Sequence, residues 1–414
     1  MSPTLKVVLA LVFTAALGWV LLRPVLEAVD QDPLAARDAP SPSREATAAP
    51  DPSPKPTETE QEAAGLPDDL RTESLVSAYP TRCLRPTRPE ADVIAVDRGA
   101  AIAAGPLGGP LTELPGDTLL GVGVDGRVAG RGGNEAFIGA PGGEPVRGLP
   151  DVRLVVWSPA SRCGVAVSKG GALLALPSEQ PLLESNVLSA AFSPNGRKLA
   201  LVMKDEQATS VWVVALRGVE MREVSRETPD IRLELRGWDP RGKVLYFRTA
   251  GAGLSFVTIG APPRTGRLSS EPVDELDQPL EQCNGRVLGL VRNQIAQITV
   301  RGPELLTQGG EGYRYISCSS DGRFIAAIGS RGLVLLDGNG GFLRDLTEDS
   351  GYTDVFVDWG EAGAGLVFGR VGSDPVAAEL WYLPEGGSAR PTGITYRGGP
   401  RAVDWAASPP TGLP

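Results

Sequence analysis

One short pattern keeps returning along this chain, and it constrains the fold more than any other feature. An aromatic or cysteine marker stands at positions 157, 192, 238, 283, 318, 359 and 405, at intervals of 35 to 46 residues. The clearest copies run Phe192-Ser193-Pro194-Asn195-Gly196-Arg197-Lys198-Leu199-Ala200, Trp238-Asp239-Pro240-Arg241-Gly242-Lys243-Val244 and Cys318-Ser319-Ser320-Asp321-Gly322-Arg323-Phe324-Ile325. Each copy reads as an apolar strand, a polar Pro/Gly turn and a second apolar strand, with a further apolar strand following. A period of about 40 to 45 residues with four short strands per unit is the signature of a β-propeller. Such a small sheet cannot bury both faces alone, so the units must pack face to face around an axis.

Ser193–Ala200 (SPNGRKLA) and Ser319–Ala326 (SSDGRFIA) resemble the WD40-like, or PD40, repeats of TolB-type propellers. The resemblance spans about residues 150–405 and implies the fold only, because such rings serve as interaction domains, lids and enzyme scaffolds alike. The expected class is therefore all-β. Repeat units begin near 116, 151, 187, 231, 276, 312 and 352, which makes seven. Residues 91–115 supply three strands without an innermost one, and Arg401–Ala406 supplies one strand without a sheet. Joined, they make an eighth blade in which both ends of the ring share a sheet and no edge is left open. Eight blades is the expectation, with seven the alternative if residues 91–150 form one irregular blade.

Upstream of the repeats the composition changes. Residues 7–22 are apolar or small without interruption between Lys6 and Arg23. With its flanks the segment is long enough to cross a hydrocarbon core of about 30 Å. Residues 1–26 are read as a transmembrane anchor, a cleaved signal peptide being the rival. The positive-inside bias places the C-terminal part outside the cytoplasm. Residues 27–78 are rich in Pro, Ala, Ser, Thr and acids, which predicts a disordered linker. The propeller is expected over 79–414.

Composition excludes much chemistry. There is no histidine among 414 residues, which removes Ser-His-Asp and Cys-His nucleophile systems and His-ligated zinc. The net charge of −10 excludes a broadly basic nucleic-acid footprint. Residues 27–73 hold 12 acidic and 4 basic side chains, so the folded part is nearly neutral.

Each remaining motif has a plain structural explanation. Gly121-x-Gly123-x-x-Gly126 lacks the helix that a dinucleotide site requires and falls in a repeat turn. Asp337-Gly338-Asn339-Gly340-Gly341 reads as a hairpin turn rather than a calcium loop. Trp157, Phe192, Trp238, Trp359 and Trp405 recur at one blade position, as packing between blades requires. Trp212 and Trp381 read as interior-sheet residues. Asp239, Asp321, Asp358 and Asp404 recur near strand ends, either to cap turns or to ring a channel mouth and hold a cation. No catalytic residue, cofactor or metal ligand is assigned.

The four cysteines are an even number, as expected for two disulfides in an exported domain. Cys283 and Cys318 replace the aromatic marker in consecutive units, which pairs them; Cys83 and Cys163 then pair by elimination. Buried thiols are the alternative for both pairs. The functional expectation is a membrane-tethered, extracytoplasmic, non-catalytic module that binds a protein or cell-envelope component. The alternative is a carboxylate-dependent enzyme, of lyase or glycosidase type, with its site in the propeller channel.

Overall fold

The computed structural model describes residues 71–406 apart from 87–92, 108, 134, 144–145, 252, 261–263, 269–279, 310–311, 320, 348–351, 361–364, 373–376, 385–386 and 398–402. Its strands form eight antiparallel sheets. Blade 1 is Val403–Ala406, Val93–Asp97, Ile102–Gly105 and Thr112–Leu114, counted outward from the axis. The last strand of the chain thus fills the innermost place in the first sheet, with Trp405 opposite Ile94. Blades 2 to 8 follow in chain order, and their innermost strands are Thr118–Val122, Val152–Trp157, Val187–Phe192, Leu233–Trp238, Glu281–Cys283, Tyr315–Cys318 and Thr353–Trp359. The ring is closed, all-β and eight-bladed, and residues 91–150 supply three strands of blade 1 and the whole of blade 2 rather than a single irregular blade.

The core lies between the blades. One cluster joins Ala95, Ile102 and Ala104 of blade 1 to Val128 and Phe137 of blade 2. Another joins Val202 and Val211 of blade 4 to Trp238 and Leu245 of blade 5, and a third links blade 8 to blade 1 through Leu380, Tyr396, Ile94 and Trp405. The marker position explains itself here. Trp238 is almost fully buried and donates its Nε1–H to the Ala191 carbonyl of blade 4 at 3.2 Å. Trp212 is likewise buried, whereas Trp381 is only partly so.

The Ser-Pro-Asn-Gly and related turns are built alike. The Ser193 amide donates to the Lys198 carbonyl at 2.9 Å, and Ser193 Oγ accepts the Lys198 amide at 2.9 Å. Asp239 does the same work in blade 5, its Oδ1 accepting the Val244 amide at 2.6 Å. In blade 7, Ser319 Oγ accepts the Phe324 amide at 3.0 Å and meets Asp321 Oδ1 at 2.8 Å. Glycine is required in the turn: Gly322 has φ +69°, and a Cβ there would lie 2.4 Å from Asn284 Cβ of blade 6. Neighbouring turns therefore nest, and side chains stitch them. Lys198 Nζ donates to the Gly242 carbonyl of the next blade at 2.7 Å, and Asn284 Nδ2 donates to the Asp321 carbonyl at 2.8 Å.

The folded part begins earlier than composition indicates. Thr72–Ser74, assigned above to the linker, pair with Glu220–Met221–Arg222 on the outer edge of blade 4 as a fifth strand. Leu75 and Tyr79 are buried. Their polar surroundings hid them, because a three-residue edge strand has no periodicity to detect. Among the described residues no helix is long and apolar enough to cross a membrane. The anchor expected over 1–26, and the linker before residue 71, lie outside the described residues.

Candidate functional site

The innermost strands of a propeller meet around its axis, so polar side chains on them face a common channel. The four recurrent aspartates divide between two locations. Asp239 and Asp321 cap turns, as described. Asp358 and Asp404 stand one residue before their markers, on the innermost strands of blades 8 and 1. They meet a carboxylate that the repeat pattern did not single out, Glu281 on the innermost strand of blade 6.

Asp404 Oδ2 accepts the Val122 amide of blade 2 at 2.7 Å, and its Oδ1 accepts the Trp405 amide at 2.9 Å. This close approach needs Gly121, whose φ is +146°; a Cβ there would lie 3.4 Å from both Asp404 Oδ2 and Trp157 Cδ1. The glycine motif is thus part of a joint between blades. Ser317 Oγ of blade 7 lies 3.2 Å from Glu281 Oε1 and 3.3 Å from Asp358 Oδ1, and accepts the Trp359 amide at 3.1 Å. The Cys318 amide donates to Glu281 Oε1 at 3.4 Å.

All three acids keep part of their surface open, yet the ring around them displaces bulk water. That desolvation pushes each pKa up from its ordinary value. Asp358 is raised furthest in character, because the like charges of Glu281 and Asp404 add to desolvation. Among the described residues no group of three or more acids or cysteines is arranged to hold a metal ion. Asp337 Oδ1 accepts the Asn339 and Gly341 amides at 2.8 and 2.9 Å, so its loop is a capped hairpin.

The cysteines pair as Cys83–Cys163 and Cys283–Cys318, with Cα separations of 5.3 and 5.5 Å. The second joins blades 6 and 7 beside Ser317. The first fastens the segment 71–85 to blade 3. That segment has an arginine socket that sequence reading missed. Arg71 Nε contacts Glu223 Oε2 at 3.1 Å, its Nη2 contacts Asp205 Oδ2 at 3.3 Å, and its guanidinium lies 5.4 Å from the Trp212 ring centroid. Glu223 is fully buried, and Arg71 from outside the repeat approaches it more closely than Arg226 of its own strand does, at 3.1 Å against 3.9 Å.

No family model matches the chain, and no curated protein does. Among solved structures it is similar to dihydro-heme d1 dehydrogenase NirN in complex with DHE, with a TM-score of 0.53 and 14% identity over 79% of this chain and 78% of that one. Apo AztD from Citrobacter koseri gives a TM-score of 0.50 and 12% identity over 76% and 97%. A putative TolB from Agrobacterium tumefaciens gives 0.35 and 18% over 62% and 86%. These likenesses are of fold alone.

Proposed function

We propose that this chain is a non-catalytic binding module: an extracytoplasmic propeller, tethered to the membrane through residues 1–26, that presents its ring to a protein or cell-envelope partner. The observation that carries this reading is that the ring already holds an extended segment of its own chain. Thr72–Ser74 add to the outer edge of blade 4, Arg71 fills a carboxylate-lined socket and Tyr79 packs beside Phe192 with ring centroids 6.2 Å apart. Edge addition with anchoring side chains is how sheets capture extended partners. Blade 7 offers a comparable edge, for Phe342–Asp345 is exposed throughout, and Phe342 and Leu343 stand 50% and 47% exposed.

A photo-crosslinking residue at position 342 in intact envelopes tests the reading. A discrete adduct that disappears in a Leu343→Glu variant of unchanged melting temperature supports it, and no adduct at 342 opposes it. Carbonate washing tests the tether: the protein stays with the membrane, and a mature form starting near residue 29 in the medium overturns that part.

A second reading, a carboxylate-dependent enzyme, draws on the approach of Glu281 and Asp358 to the same hydroxyl. Its test is Asp358→Asn assayed against a panel of acidic and neutral polysaccharides. Turnover by the natural protein and none by the variant would favour it.

A further inference from the structure

Ser317 Oγ has one hydrogen to give and two lone pairs to receive with. Three partners surround it: the Trp359 amide at 3.1 Å, Glu281 Oε1 at 3.2 Å and Asp358 Oδ1 at 3.3 Å. The amide can only donate and takes one lone pair. The serine hydrogen satisfies one carboxylate oxygen. If both acids were ionised, the other oxygen would face a serine lone pair at hydrogen-bond distance, with no hydrogen between them. The contacts close only if one acid carries a proton and donates it to Ser317.

We infer that Glu281, Ser317 and Asp358 form a proton-locked clasp across blades 6, 7 and 8, with Asp358 protonated and donating to Ser317 Oγ, and Ser317 donating to ionised Glu281. One difference places the proton on Asp358. Each acid has a backbone amide beside it, Cys318 for Glu281 and Trp359 for Asp358, and each meets Ser317, so these contacts do not separate them. Asp358 alone stands between two charges of its own sign, Glu281 and Asp404. The charged groups on neighbouring elements include two arginines that each hold an acid of their own. In blade 5, Arg236 Nη2 contacts Glu234 at 2.9 Å; at the far end of the blade 8 strand, Asp354 holds Arg370 at 3.0 Å. On the blade 7 strand the ionisable neighbour is Tyr315, and Asp404 is held by the Val122 and Trp405 amides.

The sign follows from linkage. A carboxyl that binds its proton more tightly in the folded ring than in the unfolded chain contributes stability that is fully present below about pH 4. That contribution falls as pH rises towards the raised folded value. Raising the pH thus loosens the joint between the inner strands of blades 6, 7 and 8. Asparagine at 358 carries a permanent donor and no charge, so it copies the locked state.

The test is made on the full chain, wild type and Asp358→Asn, by thermal melting from pH 5 to 9 and by infrared difference spectroscopy. The wild type should lose about 2 °C or more relative to the variant as pH rises. A protonated-carboxyl band absent from the variant should persist to a pH clearly above that at which the other carboxyl groups lose theirs. Glu281→Gln removes one repelling charge and should move the loss of that band to lower pH, which keeps the test intact if Asp358→Asn folds poorly. Parallel melting curves, or a band that titrates with ordinary carboxylates, overturn the clasp.

Discussion

Asp404 reaches from the last strand of the ring to the Val122 amide of blade 2, 2.7 Å away and 282 residues distant in sequence. The contact ties the sheet in which the two ends of the ring meet to the blade beside it. It makes closure a matter of a specific hydrogen bond as well as of the strand pairing between Val403–Ala406 and Val93–Val96.

Ending the chain at Pro400 should therefore expose fully buried Ile94 and leave blade 1 with an open inner edge. The expected outcome is aggregation on expression, seen by size-exclusion chromatography. Asp404→Ala is milder: it leaves the Val122 amide without its acceptor, at about 1–2 kcal/mol. Asp404→Asn keeps an oxygen there and should recover part of that in denaturant melts.

Gly322→Ala and Gly285→Ala form a matched pair. Both glycines have positive φ, +69° and +83°, but only the first would press a Cβ against Asn284 of the neighbouring turn. Gly285→Ala should cost about 1 kcal/mol for the backbone alone, and Gly322→Ala at least about 2 kcal/mol. Equal losses would mean that the turns do not nest as described.

Removing the Arg71 side chain takes the closer of two guanidinium partners from fully buried Glu223, leaving Arg226 at 3.9 Å. Arg71→Ala should destabilise the ring by about 2 kcal/mol, discounted because the arginine is itself about a third exposed. It should also make the chain around residues 71–79 more susceptible to protease. A variant as resistant as the parent would show that the socket is dispensable.

Non-reducing peptide mapping should recover Cys83–Cys163 and Cys283–Cys318 as linked pairs. Cys83–Cys163 closes the longer loop, with 80 residues of separation against 35, so the chain-entropy account gives it the larger stabilisation by about 0.7 kcal/mol. Serine replacements compared by denaturant midpoint check the order. Four alkylatable thiols in protein purified without reductant would refute the pairing.

Sequence alone determined the class of fold, because a strand–turn–strand pattern renewed at each marker admits few architectures. It also favoured eight blades over seven and pointed to the closing strand, since residues 91–115 and 401–406 were strand-like remnants without a home; the ring itself settled the count. Packing between blades was legible through Trp238 and its equivalents for the same reason: a repeated requirement leaves a repeated residue. What a single site requires leaves no such trace. Asp358 and Asp239 look alike beside their tryptophans, yet one points into the axis and the other caps a turn, because they fall on opposite sides of the marker residue. Glu281 and Ser317 are unremarked residues of separate units until the ring curls their strands together. Thr72–Ser74 read as linker because three edge residues carry no pattern of their own; what holds Arg71 there is the buried carboxylate of Glu223, 152 residues away. Local chemistry repeated in every blade could be read from the chain, whereas contacts made once, between distant blades, were decided only by closing the ring.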